Sequence, residues 1–280
     1  DGNEMKSISI EGEIENEIIP SFTRTLLEDS EMNIYAAGRG FFGKISRSSY
    51  GDSEYSSLME KLPDSINPYN QVFWGGVNKE SEIYLYSREL IFRYNGDSFD
   101  KIWKLSDREE GIEGKGTIQT LIKVEDRIFV RVWGLGLYEL KNDQFKKIEN
   151  SEIFSSNRIE SMVAIDNEKI AIFSSKLGTL IYDGNQFLLH KNQRLNSWIK
   201  EKLIYNSSEV KKLSNGHFPL ISFEGGILIL DTKLNIVNLV DLSDGLLSNT
   251  ITSIFIDKND DLYTTSLLSA SKIRLSNTIT

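Results

Sequence analysis

The chain has 280 residues, 39% of them hydrophobic and 26% charged, which is too apolar for a disordered segment and long enough to bury a core. A formal net charge of −9, with no run of Lys and Arg interleaved with aromatics, excludes a phosphate backbone as partner. There is no cysteine, which excludes disulfides and thiolate chemistry, and no apolar run reaches the roughly 20 residues of a bilayer-spanning helix, so neither nucleic acid nor membrane insertion is expected.

The chain begins at Asp1 and not at Met, which is read as a leader or an upstream segment having been removed. The first predicted strand is Lys6-Ser7-Ile8-Ser9-Ile10, whose residues alternate as a strand requires. From about residue 22 one unit recurs: a strand, a polar turn, a β-branched or aromatic second strand, a short and often glycine-rich turn, and a third apolar strand. The second strands are anchored on Ile34, Ile83, Ile128, Ile170, Phe218 and Leu262, at intervals of 49, 45, 42, 48 and 44 residues. A period of about 40 to 50 residues filled with short strands is the signature of propeller blades. Two β-sandwiches are the alternative, since turns every ~8 to 12 residues fit those too.

The polar turns before the anchors, at 28–31, 78–81, 124–126, 166–168, 214–216 and 258–260, suit hairpins joining a first strand to a second. A further turn follows the third strand, as Asn95-Gly96-Asp97 before Phe99, Asn142-Asp143 before Phe145 and Asp183-Gly184-Asn185 before Phe187, and there a fourth strand begins. The sixth unit places strands near 250–256, 262–266 and 272–275, then stops before a fourth. Residues 6–10 precede the first strand of the first unit and are assigned as that missing strand, which closes the ring and removes its open edges. The expected fold is therefore all-β: one six-bladed β-propeller of four-stranded antiparallel blades over residues 1–280, closed by the N-terminal strand.

The stretch Asp244-Gly245-Leu246-Leu247-Ser248-Asn249-Thr250-Ile251-Thr252-Ser253, continuing through the acidic turn at 257–261 to Leu262-Tyr263-Thr264-Thr265, resembles the two-component-regulator propeller repeat. In that repeat a glycine-leucine-x-serine-asparagine opening leads to a strand, an acidic turn and a tryptophan-isoleucine-glycine-threonine strand; here Tyr263-Thr264-Thr265 replaces the last. The resemblance implies the periplasmic sensory part of a bacterial hybrid two-component system, where such propellers help recognise saccharides or other cues. It thus implies a periplasmic or secreted sensor domain that binds a ligand as the input to signal transduction.

Catalytic and metal patterns are not found. His190 and His217 stand in no metal-ligand spacing and are read as turn or strand-end residues. Asp257-Lys258-Asn259-Asp260-Asp261 has the oxygen donors of a calcium loop, but Leu262 stands where glycine must turn the chain and Leu268 where the bidentate glutamate belongs, so it is read as a hairpin turn. Residues 111–117 lack the spacing of a phosphate loop and are read as a blade-to-blade connection. Asn206-Ser207-Ser208 is a glycosylation sequon. No cofactor, metal or catalytic residue is assigned. A propeller lyase or glycosidase using carboxylates is the alternative from another class, and a protein-interaction scaffold without a small-molecule ligand is the alternative among binding proteins.

A propeller ligand is expected on the face formed by the turns between second and third strands and by the blade-to-blade connections. The first set contains Arg39, Arg88, Trp133, Lys176 and Glu224. The second contains Tyr50, Tyr55, Tyr69, Trp103, Arg108, Arg158, Trp198 and Asn249. Aromatic rings there stack on sugars while Arg and Glu hydrogen-bond hydroxyls or carboxylates, so the candidate ligand residues are Arg39, Arg88, Trp133, Lys176, Glu224, Trp103 and Trp198. Trp74 is assigned to the core. The long connection 45–70 is read as a lid or partner contact, or else as a decorated fourth strand. The expected partner is a saccharide, a peptide or a protein, with a homodimer as a further option.

Overall fold

The structure, a computed structural model, describes residues 11–14, 17–20, 23–47, 52–67, 71–105, 112–205 and 209–275. A hairpin the sequence did not suggest comes first, β1 (Glu11–Ile14) against β2 (Glu17–Pro20). Six antiparallel sheets follow. The first holds β3 (Thr23–Glu28), β4 (Ile34–Gly38), β5 (Phe41–Arg47) and β6 (Ser53–Ser57); the second holds β7 (Gly75–Lys79), β8 (Glu82–Tyr86), β9 (Leu90–Tyr94) and β10 (Phe99–Lys104). The third holds β11 (Thr117–Val124), β12 (Arg127–Trp133), β13 (Gly136–Lys141) and β14 (Gln144–Lys147); the fourth holds β15 (Ser161–Ala164), β16 (Ile170–Ser174), β17 (Gly178–Tyr182) and β18 (Phe187–Leu189). The fifth pairs β19 (Phe218–Ile221), β20 (Ile227–Leu230) and β21 (Ile236–Val240), and the sixth pairs β22 (Ser253–Ile256), β23 (Leu262–Thr265) and β24 (Ala270–Ile273). The protein is an all-β, six-bladed β-propeller, and each of the six anchors lies in the second strand of its blade.

Among the described residues the fifth and sixth sheets have three strands. In the fifth, residues 204–205 and 213 bond beside β19 without a regular ladder: Tyr205 N–H donates to Ile221 O at 3.0 Å and Leu213 N–H to His217 O at 2.7 Å. In the sixth, the assigned closing strand 6–10 lies outside the described residues, as does the sequon at 206–208.

Burial explains the composition of the strands. All of β16 and β19 is buried, because a central strand is covered on both faces and reads as a continuous apolar run. In β14 only Phe145 is buried, because an edge strand needs one inward side chain per repeat of two. The chain divides into two compact units. The first comprises Asp1–Leu121, Val132–Leu135 and Glu139–Lys146; the second comprises Ile122–Arg131, Gly136–Tyr138 and Lys147–Thr280. The first unit is cored by aromatics: Phe42, Phe73, Phe92 and Phe99 meet at tilted or edge-on angles with centroids 5.4 to 6.3 Å apart, the arrangement that ring quadrupoles favour. The second is cored mainly by aliphatic residues such as Ile172, Leu180, Leu220 and Leu228.

The polar turns are closed by one device. Oδ1 of Asp29, Asp231 and Asp257 accepts the N–H groups two and four residues on, and Oδ1 of Asp166 and Asp183 those two and three on. These Asx turns orient the chain for pairing. The backbone N–H groups of Glu168 and Gln186 accordingly hold the Asp166 and Asp183 carboxyls below the usual aspartate value. Asp257 serves a hairpin, with Ile256 paired to Leu262, as its sequence suggested.

The turns between second and third strands share a feature that sequence reading missed. A serine stands four residues after the anchor in four blades, at Ser87, Ser174, Ser222 and Ser266, and its hydroxyl accepts the N–H three residues on, from Leu90, Leu177, Gly225 and Ser269. Ser222 is fully buried and also donates to Gly226 O at 3.2 Å. Ser222→Ala leaves the Gly225 N–H without its partner in a buried turn, so it is expected to lower the unfolding free energy by about 1–3 kcal/mol, measured as a lower urea midpoint with an unchanged slope.

One expectation is corrected, and two connections gain definition. The connection 45–70 contains a fourth strand, the second of the two readings offered for it: β6 pairs along β5, and the Tyr55 ring turns inward against Phe41 at 6.2 Å and over Gly43, where a Cβ would collide with it. Trp103 belongs to β10 and is buried rather than exposed on a connection. The connection from the fourth to the fifth blade holds a helix, α1 (Gln193–Glu201), capped by Asn192, which accepts the Leu195 N–H at 3.1 Å, and seated on Leu195 and Ile199 one turn apart.

Candidate functional site

In the first unit, the turns between second and third strands of the first two blades are hydrogen-bonded at the starts of first strands, their own or the next blade's. Phe73 N–H donates to Gly38 O, Trp74 N–H to Tyr86 O and Ile118 N–H to Arg88 O, at 3.1, 2.9 and 2.9 Å. These bonds fix where the turn-tip side chains stand. Arg39 is exposed on its turn and bridged to Val72. Arg88 is half-buried; its guanidinium lies 4.2 Å from the Trp74 ring centroid, and Nη1 donates to Ile118 O at 3.4 Å.

Trp74 is thus not a core residue. It precedes β7, is half-buried, and carries a second guanidinium, that of exposed Arg24 at the start of β3, 4.8 Å from its centroid. Sequence reading missed Arg24, and its one signal was a basic residue at the start of a first strand.

Trp133 sits on the turn of the third blade and is 44% exposed. Leu135 N–H donates to Val132 O at 3.1 Å, and Gly134 has φ 86°, the left-handed conformation that the third position of a type II turn requires. A Cβ on Gly116 would collide with the Trp133 carbonyl oxygen and with Val132, so backbone packs closely under the tryptophan and holds its turn. Arg88, bonded to Ile118, and the Trp133 backbone, packed on Gly116, thus meet the same stretch of chain leading into β11.

In the second unit, Lys176 and Glu224 are exposed at their turn tips. Behind Lys176, Glu160 is 4% exposed and accepts from the Ser175 hydroxyl at 2.6 Å and the Ser175 N–H at 3.0 Å. Arg131 is 1% exposed, and donates to Phe154 O at 2.8 Å and Ser155 O at 3.3 Å. Burial, helped by the charge of Arg158 and opposed by that of Glu160, pushes the Arg131 guanidinium down to about 10, which leaves it charged at neutral pH. Sequence reading missed both Arg131 and Glu160. Trp198 lies on α1, partly buried against the core, and lines a pocket of about 250 Å³ with Arg194, Glu201, Leu228, Ile236 and Leu239. Thr250 Oγ1 donates to Phe223 O and Asn249 O accepts the Gly226 N–H, so the glycine-leucine-x-serine-asparagine stretch forms the corner that brings the chain from β21 back to β22.

His190 and His217 occupy a strand end and a turn, and burial lowers His190 below the usual histidine value. Among the described residues no group of three or more His, Asp or Glu is placed to hold a metal ion, and no helix is long and apolar enough to cross a membrane. Tyr50, Tyr69 and Arg108 lie outside the described residues.

No family model matches the sequence, and no curated protein matches it. Solved structures do. The WD40 β-propeller domain of Doa1 is similar with a TM-score of 0.59 and 11% identity, over 87% of this chain and 75% of that one. Streptogramin B lyase is similar with a TM-score of 0.57 and 10% identity, over 96% and 88%. The extracellular domain of the two-component system BT4673 from B. thetaiotaomicron is similar with a TM-score of 0.56 and 14% identity, over 92% of this chain and 33% of that one, so the chain spans a third of that domain. At these identities the likeness is one of fold, and the fold is shared by a WD40 propeller, a lyase and an extracellular domain of a two-component system.

Proposed function

We propose that this propeller is a binding module and not an enzyme: a periplasmic or secreted sensor domain that reads a saccharide, peptide or partner protein with its turn face as input to a bacterial signalling system. The observation that carries the reading is Trp133. Its indole stands out on a turn held by close backbone packing, where it contributes exposed area at low cost in conformational entropy. The sequence resemblance of 244–265 and the likeness in fold to the BT4673 extracellular domain supply the signalling context.

A thermal-shift panel of neutral oligosaccharides and peptides tests the reading, because a ligand that binds only the folded state raises its apparent stability by mass action. One ligand class is expected to raise the midpoint, and Trp133→Ala is expected to abolish that shift while moving the unliganded stability by no more than ~0.5 kcal/mol. No shift across the panel would hand the function to protein partners.

That second reading has its own observation. Leu267 and Leu268, at the turn tip of the sixth blade, are 80% and 99% exposed, and apolar side chains bared together mark contact surfaces. If they join two copies of the chain, sedimentation shows a dimer that Leu267→Ser with Leu268→Ser dissociates.

A further inference from the structure

We propose that Arg24, Trp74 and Arg88 form a subsite for an anionic group, and that with neighbouring Trp133 they select a saccharide bearing a carboxylate or a sulfate. The inference rests on the ligand-face reading above and names the class of ligand.

The first argument is charge. In a chain of net charge −9, two guanidiniums gather on one indole, 4.8 and 4.2 Å from its centroid. Neither has a carboxylate partner among the described residues. Arg93, in contrast, is held by Asp100 and Asp143 at 2.8 Å each, which is how this chain treats an arginine whose role is structural. Two guanidiniums gathered on one ring without a carboxylate leave a local excess of positive charge that a bound anion offsets. The cation–π contacts orient both forks at a cost the indole offsets, and a fork is shaped to accept the paired oxygens of a carboxylate or sulfate.

The second argument is position. Arg24 and Trp74 come from the starts of first strands, and Arg88 from a turn between second and third strands, so all three lie on the turn face of the unit. The Ile118 carbonyl fixes Arg88, and Gly116, two residues earlier in the chain, packs under Trp133. The Trp133 turn is therefore tied through residues 116–118 to the arginine that the Trp74 ring carries, and an acidic sugar presents the matching pair, a C–H face for an indole and a charged group for the arginines.

Isothermal titration of the purified chain with three probes decides the matter: trigalacturonate, a sulfated heparin tetrasaccharide and neutral galactotriose. One of the two anionic probes is expected to bind, and which one identifies the carboxylate or the sulfate as the source. Arg24→Gln and Arg88→Gln are each expected to weaken that binding roughly tenfold or more, the size of a lost charge-assisted hydrogen bond, and rising salt is expected to weaken it further. Arg24 is exposed, so its variant keeps the fold and serves as the test should Arg88→Gln unfold. Equal binding of galactotriose, unchanged in both variants, would overturn the anionic subsite and leave the ligand-face reading standing. Absence of binding to all three would overturn the subsite as well, while the thermal-shift panel with Trp133→Ala decides the broader reading independently.

Discussion

Trp103→Ala is expected to lower the unfolding free energy of the protein by about 3–5 kcal/mol, the range for removing a large buried aromatic. The ring is 1% exposed. It stacks on Tyr84 with centroids 6.2 Å apart and meets Phe145 edge-on at 5.3 Å. Its Nε1–H donates to Asp143 O at 2.9 Å, and the Arg93 guanidinium lies 6.0 Å from its centroid. The substitution therefore opens a cavity, removes a hydrogen bond to the turn at Asn142 and Asp143, and loosens the Arg93–Asp143 pair at that turn. Urea unfolding followed by far-ultraviolet circular dichroism measures the loss as a fall in midpoint. Trp133→Ala, at a ring that is 44% exposed, is the contrast. If Trp103→Ala left the midpoint in place, the packing of β10 described above would be wrong.

Gly226→Ala is expected to cost about 2–5 kcal/mol, as left-handed strain of ~1–2 kcal/mol for an L-residue adds to ~1–3 kcal/mol for forcing the backbone apart. Gly226 has φ 72°, and a Cβ there would run into the Val240 carbonyl oxygen and approach the Asp241 Cα at 3.2 Å. Its N–H is also bonded to Asn249 O at 3.0 Å and its carbonyl accepts from Ser222, so the chain has no slack with which to relax. Gly96→Ala separates the two contributions. Gly96 has φ 98° but open space around its Cβ position, so its substitution carries strain without collision and is expected to cost about 1–2 kcal/mol. Equal losses at the two sites would show that conformation alone, and not close packing against β21, makes Gly226 necessary.

The two tryptophans also show where sequence reading stopped. Trp103 and Trp133 both read as exposed turn or connection residues, and only Trp133 is there. The distinction depends on whether β10 continues through Lys104, which its own residues Phe99-Asp100-Lys101-Ile102-Trp103-Lys104 do not announce, since a bulge shifts the register between Phe99 and Lys101 and breaks the alternation a reader looks for. The helix α1 left a readable trace in Asn192 followed by Leu195 and Ile199, but its span of 9 residues is too short for periodicity to stand out among strands. The serine four residues after the anchor was fully legible in Ser87, Ser174, Ser222 and Ser266, and reading the turns as glycine-rich hid it.

What the sequence by itself determined is everything written over a few residues at a time: six second strands on a repeat of 42 to 49 residues, the aspartate and asparagine turns, the hairpin at 257–261, and the turn-tip places of Arg39, Arg88, Trp133, Lys176 and Glu224. Alternation and turn chemistry are local, because backbone hydrogen bonding within a hairpin is satisfied by neighbours in the chain. Only the tertiary structure decided that Arg24 and Arg88, 64 residues apart in the chain, share the Trp74 ring, that Arg131 is buried beside the Phe154 carbonyl, and that Trp74 stands at the face instead of in the core. Those contacts join the starts of different strands and the turns of different blades, and the register and twist that bring them together come from packing sheet against sheet, which no single repeat encodes.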